Sequence, residues 1–201
     1  MNAKDFWSVI ELYNQNTLII QAVLLVMVVI AVALSYTNKV TYAAKVMLGI
    51  ANLFLAGVFF GYYGTQPFQK FFALPLYLIC GVLFLYEAWH NKEDVLEKPN
   101  VFQMILLLLY ALYPAVSFLL GNHYPRMVTH VMPCPIITLS IIVYAGYKEK
   151  NKLLLLFLTI WGLTGVKSAV FSVYEDLILL VCGIYGIYLL VNEIRAKKAY
   201  A

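Results

Sequence analysis

Apolar residues fall into seven long runs separated by short polar stretches. The runs extend from about Thr17 to Ser35, Ala43 to Tyr63, Phe71 to Trp89, Val101 to Leu120, Met132 to Tyr147, Leu153 to Phe171, and Leu177 to Val191. A helix needs about 20 residues to cross the hydrocarbon of a bilayer, where only hydrogen bonds within the segment can satisfy the backbone. The pattern therefore predicts an all-α membrane protein, a single polytopic domain over residues 1–201 folded as a bundle of seven transmembrane helices. The first run, TLIIQAVLLVMVVIAVAL, loses its apolar character only at Gln21. The charged opening holds Asp5 and Glu11 beside Lys4, the run is longer than a signal core, and no small-x-small cleavage site precedes Tyr36, so it is expected to be a retained span.

Composition agrees with this class. Of the 201 residues 63% are hydrophobic and 12% charged, with a mean hydropathy of +0.83, against roughly 25% charged in a soluble domain. Charge then sets an orientation. With seven spans, ten of the 14 basic residues fall on one side, and Lys4, Lys70, Arg126 and Lys167 fall on the other. The basic side is expected to face the cytoplasm, which puts the N-terminus outside and the C-terminus inside. The net charge of +4 resides in loops such as KEKNK and in the tail RAKKAYA, suited to anionic headgroups. No basic face interleaved with exposed aromatics is present, so nucleic acid is not an expected partner. Tyr and Trp recur near the run ends, as interfacial belts do.

Chemistry concentrates in three loops. The segment GNHYPRMVTHVMPCP, Gly121 to Pro135, lies outside on this topology and carries His123, Tyr124, Arg126, His130 and Cys134. Tyr124-Pro125 forces a turning or extended backbone. Pro133-Cys134-Pro135 suits a helix start, where the missing proline N–H costs nothing. A helix N-terminus also favours a thiolate, and His123 and His130 could add imidazole nitrogens beside the Cys134 sulfur, a donor set for a soft or borderline transition-metal ion. Their spacing matches no standard zinc pattern. The second loop, VKSAVFSVYED, places Lys167 and the Glu175-Asp176 pair on the same side. The acids suit a first helical turn; alternatively Lys167 pairs with one of them and all three face the histidine segment. The third loop, HNKEDVLEKPN, reads as a solvated connector, with Glu87 and His90 sharing a helix face beside it. Cys80 and Cys182 read as core packing, and with no CxxC no disulfide framework is signalled. Gln21, Asn52, Gln103, Thr159 and Thr164 read as helix-to-helix hydrogen-bonding groups.

Tyr113-Pro114, Gly121, Tyr124-Pro125, Pro133-Cys134-Pro135 and Thr138 together resemble the central signature of a family of small bacterial integral membrane proteins, the domain-of-unknown-function family 6064. The block WGLTGVKSAVFSVYEDLILLVCGIYG, Trp161 to Gly186, resembles its terminal pattern of a tryptophan followed by glycine, small residues, an acidic pair and a glycine-spaced last helix. Asn14 before the first run fits as well. Where the family pattern leads us to expect a glycine or proline just before Pro133, this chain has Thr129, His130 and Val131. The resemblance implies a polytopic protein of the bacterial cytoplasmic (inner) membrane and carries no catalytic residues with it.

Three function classes follow. One is binding, sensing or transport of a small solute or metal ion through an outward-facing pocket formed by His123, Tyr124, Arg126, Cys134, Lys167, Glu175 and Asp176. Another is a thiol-dependent membrane enzyme or redox partner with Cys134 as nucleophile and His123 or His130 as base. The third is a scaffold subunit without chemistry of its own. A single thiol without a resolving partner favours the first.

Overall fold

The computed structural model describes residues 3–168 and 172–199, with side chains over 5–168 and 172–195. The end of the sixth expected run, residues 169–171, and the side chains of the basic tail beyond 195 lie outside the described residues. The described chain is all-helical. Its helices are α1 (Ala3–Tyr36), α2 (Ala43–Phe54), α3 (Leu74–His90), α4 (Val101–Ala111), α5 (Tyr113–Leu119), α6 (Pro133–Ala145), α7 (Lys152–Leu163) and α8 (Leu177–Ala199). π-helical turns extend α2 over Leu55–Tyr62 and lead into α3 over Gln69–Ala73. Short 3-10 turns follow α7 at Thr164–Lys167 and precede α8 at Tyr174–Asp176.

Four helical segments are long and apolar enough to cross a membrane, Asp5–Tyr36, Ala43–Tyr62, Gln69–His90 and Tyr174–Arg195. The fourth expected run is not one straight helix. It opens on a capping box, in which the Asn100 side chain accepts from Gln103 N and the Gln103 side chain accepts from Asn100 N, and it bends by 53° between Ala111 and Tyr113. Pro114 explains the break, because its ring fills the space of an intrahelical hydrogen bond. Counted as one, the bent pair makes a fifth apolar span. The fifth run yields only the 13 residues of α6, about 20 Å at 1.5 Å per residue. Every residue of α6 except Cys134 and Ala145 is buried, which makes it the central post of the bundle. α7 is also short and passes into its 3-10 turn.

Helices approach closely where glycines face one another. A Cβ on Gly183 would lie 2.5 Å from the Gly162 carbonyl carbon, and one on Gly165 would lie 2.6 Å from Asp176 O. α7 and α8 are thus in backbone contact, as small residues permit. This contact draws Trp161 and Lys167, at the end of α7, toward Asp176 at the start of α8.

The two ends of the bundle differ. At one end the 90–100 segment is exposed over most of its length but pinned at two points. The Asp94 side chain and Leu96 are buried, and Lys45 is fully buried with its Nζ 2.9 Å from Asp94 Oδ2. Lys45 also lies 4.2 Å from the centre of the Tyr147 ring. Asp94 Oδ1 accepts from Lys148 N and Glu149 N at 3.2 and 3.4 Å. Leu96 bridges to Tyr147, and Thr41 Oγ1 donates to Lys92 O. Glu87 and His90 do not act as a pair: Glu87 is buried and accepts from Asn91 and Asn151 at 2.8 and 3.1 Å, while His90 stacks on Tyr86. A buried carboxylate needs such partners, and the sequence neighbours alone do not reveal them.

At the other end α1 carries the site. Its 34 residues extend about 50 Å at 1.5 Å per residue, well beyond its apolar stretch. The first four turns hold Tyr13 and Asn14 against the 121–131 loop.

Candidate functional site

The loop between α5 and α6 is tied down by side chains from far along the chain. Asn14 Nδ2 donates to Pro125 O and Met127 O at 2.7 and 2.8 Å, and Gln21 Nε2 donates to Asn14 Oδ1 at 3.2 Å. Thr129 Oγ1 donates to Gln21 Oε1 at 2.6 Å. Tyr13 and Tyr77 hydroxyls donate to Val131 O and Pro133 O, each at 2.6 Å. Gln21, an interruption in an apolar run, is thus one arm of a loop anchor, and Asn14 is the other. A buried loop backbone must find partners of this kind.

Behind the tied loop lies a cavity of about 80 Å³. Its walls come from α1 (Ile10), the π turn after α2 (Phe59, Phe60), the start of α6 (Pro133, Cys134, Pro135) and the end of α7 (Trp161, Thr164). Phe68, Gln69, Lys167 and Asp176 also line it. Aromatic rings interlock along one side. Trp161 packs edge-on against Phe60 and Tyr77 with centroids 5.6 and 5.0 Å apart, and it stacks with Phe68 at 6.3 Å. The Lys167 Nζ lies 4.4 Å from the centre of the Phe68 ring, in cation–π range.

Polar atoms punctuate this apolar wall. Trp161 Nε1 is buried without a hydrogen-bond partner, a condition rare enough to call for an explanation. Gln69 Oε1 accepts from Thr65 N and Gln66 N, which leaves its Nε2 as the free end. Asp176 is buried, and its Oδ1 accepts from the Tyr113 hydroxyl at 3.1 Å. Cys134, half-buried, has Asp176 and Trp161 as side-chain neighbours.

Of the residues singled out in the sequence, Cys134, Lys167 and Asp176 meet at this cavity. The others are placed elsewhere. Glu175 is buried behind the wall and accepts from Ser117 Oγ at 2.6 Å, while its Oε2 is buried without a partner. Ser117 in turn accepts from Val128 N at 3.0 Å, so Glu175 and the loop share one hydroxyl. Lys167 pairs with neither acid among the described residues; its ammonium sits on Phe68 instead. The Tyr124 hydroxyl donates to Asn14 O at 3.2 Å, and Tyr124-Pro125 is a cis peptide. The Arg126 guanidinium lies 5.7 Å from the centre of the Trp7 ring.

The expected metal set His123, His130 and Cys134 is not brought together. His123 lies on the loop surface against Phe118. His130 Nε2 is 3.1 Å from Ala111 O, and its ring packs edge-on to Tyr110. Partial burial holds the His130 imidazole below its usual pKa, opposed by that carbonyl. No group of three His, Cys, Asp or Glu side chains able to hold a metal ion occurs among the described residues. Neither histidine lines the cavity, so Cys134 has no imidazole base beside it.

Gln69, Phe60, Phe68 and Trp161 were missed as site residues. Span-end aromatics resemble an interfacial belt in sequence, and nothing local distinguishes a ring that faces lipid from one that faces a cavity. Gln69 stands beside Lys70 just before the third apolar run, where a polar residue carries no signal.

The model of a family of unknown function, DUF6064, matches residues 3–201, and the chain belongs to that family. No curated protein and no solved structure matches it.

Proposed function

We propose that this member of the family is an integral protein of the bacterial cytoplasmic membrane, crossing it seven times with the N-terminus outside, and that it binds a small solute in the cavity at its outer end. The observation that carries the solute reading is the cavity itself: six separate stretches of chain converge on it, and it presents a thiol, a carboxyl, an ammonium and an unpartnered indole N–H within aromatic walls. Binding sites take this form, mostly apolar with a few convergent polar groups.

Two features support the membrane reading. The four long spans carry large apolar side chains on their outer faces, such as Ile19, Phe71, Val82 and Ile184, a face that water would penalise. The segments also alternate in direction. The cavity end collects the start of α1, the end of the α2 extension, the start of the α3 segment, the start of α6, the end of α7 and the start of α8. The opposite end collects Lys45, Asp94, Tyr147, Asn151 and Glu193. Such alternation suits seven crossings, and the short α6 is sheathed by protein, so its length need not match the lipid. A thiol enzyme is less well supported, because neither expected imidazole base, His123 or His130, lines the cavity beside Cys134.

Topology is tested by His123→Cys and Lys92→Cys, each on an exposed loop, treated with an impermeant maleimide in intact cells. His123→Cys should react at once and Lys92→Cys only after lysis; the reverse order overturns the orientation. The cavity is tested with methyl methanethiosulfonate on the full chain in lipid nanodiscs. Cys134 should be modified well before Cys80 and Cys182, which are fully buried. Equal rates at the three thiols would refute a cavity open to small solutes.

A further inference from the structure

Charge inside the cavity narrows the occupant. Lys167 and Asp176 both line it, yet they do not pair with each other or with any other charged side chain among the described residues. One positive and one negative group that line the same cavity without pairing are complementary to a ligand that carries both signs. Two more donors line it: Trp161 Nε1 is buried without an acceptor, and the Gln69 Nε2 end is left over once Oε1 has capped the 65–66 turn. Together these suit the two oxygens of a carboxylate. Asp176, whose Oδ1 accepts from Tyr113 and whose carboxyl neighbours the Cys134 thiol, offers Oδ2 to an ammonium that can also approach the aromatic rings of the wall. Ile10, Phe59 and Met132 add apolar contact, and Thr164 and Ser168 line the cavity as well.

Size limits the ligand further. An apolar cavity of about 150 Å³ takes benzene, so about 80 Å³ leaves room for at most a ligand of the size of glycine or alanine, and too little for an aromatic amino acid. We infer that the cavity takes a small zwitterion of the α-amino-acid class with a short apolar side chain, its carboxylate on Lys167, Trp161 and Gln69 and its ammonium on Asp176. This rests on the cavity being a solute site as proposed above.

The test is protection of Cys134 from methyl methanethiosulfonate in nanodiscs by L-alanine, propionate, ethylammonium and L-tryptophan. L-Alanine should protect. Propionate and ethylammonium, each lacking one charge, should need about tenfold higher concentration or more, since one charge-assisted hydrogen bond is worth that factor, and L-tryptophan should not protect. Lys167→Gln, at an exposed position, should weaken alanine protection by a similar factor while leaving that by ethylammonium in place. Asp176→Asn should do the converse, but it alters a buried group, so Lys167→Gln carries the decision. If propionate or ethylammonium alone matches alanine, or if Cys134 reacts and nothing protects it, the zwitterion assignment is overturned and the open cavity stands. If Cys134 does not react preferentially at all, both fall.

Discussion

Replacing Lys45 by methionine should be among the most damaging single changes in this protein. The Lys45 side chain is 0% exposed and that of Asp94 is 4% exposed, with Nζ and Oδ2 2.9 Å apart. Methionine fills nearly the same volume on the Tyr147 ring, so packing loss is small and the main effect is to strand the Asp94 carboxylate. Removing one partner of a buried pair costs about 3–5 kcal/mol. Part of this is recoverable. Asp94 Oδ1 still accepts from Lys148 N and Glu149 N, and an asparagine at 94 keeps that acceptor while discarding the charge. Lys45→Met with Asp94→Asn should therefore return to within about 1–2 kcal/mol of the parent, a loss well below the sum of the two single changes in a double-mutant cycle, since Asp94→Asn alone strands the buried Lys45 ammonium. The exposed pair Lys148–Glu97, at 3.7 Å with side chains 69% and 61% exposed, serves as the control and should contribute about 0–1 kcal/mol. The assay is denaturation in mild detergent micelles followed by tryptophan fluorescence. A loss below about 1 kcal/mol for Lys45→Met, no larger than the control, would refute the burial of this pair and the packing of the 90–100 segment on which it depends.

Gly183→Ala should destabilise by about 1–3 kcal/mol, because its Cβ would meet the Gly162 carbonyl carbon at 2.5 Å, whereas Gly57→Ala, with nothing within 4 Å, should be neutral or stabilising; equal melting temperatures for the two variants would argue against backbone contact between α7 and α8. Asn14→Ala removes two donations to the loop carbonyls of Pro125 and Met127 and should cost about 1–3 kcal/mol, with faster amide exchange at Val128 than in the parent; unchanged exchange would show that the anchor lies elsewhere. The depressed pKa of His130 means that the unfolded chain binds a proton more readily than the folded one. Its contribution is therefore favourable above the ordinary imidazole pKa and is lost as pH falls through that value toward the folded one. Melting curves from neutral to mildly acidic pH should fall less steeply for His130→Gln than for the parent, and parallel slopes would contradict the burial of this ring.

Much of the helical plan is legible in one chain because helix formation and apolar burial are local and additive. Pro133-Cys134-Pro135 announces the start of α6, whereas Gln103, read above as a helix-to-helix group, caps α4 together with Asn100, and Pro114 bends a run expected as one helix. Each acts through its own backbone or that of the next turn. Gln21 within the first apolar run and Asn14 just before it stand out for the same reason, and membership of the family can be read from motifs spread over the chain. Partnership is a different kind of quantity. Lys45 and Lys92 are the same residue type in similar surroundings, yet one is buried on Asp94 and the other lies over the exposed Trp89 ring. His123, His130 and Cys134 are close in sequence and are not assembled into one site, while Cys134, Trp161, Lys167 and Asp176 share a cavity. The apolar pattern and local stereochemistry determined that this chain is helical and in which stretches its apolar helices lie. Which of its few charged and polar groups face one another was decided only by tertiary packing, because the Gly162–Gly183 contact and the loop anchor at Asn14 act between residues far apart in the chain.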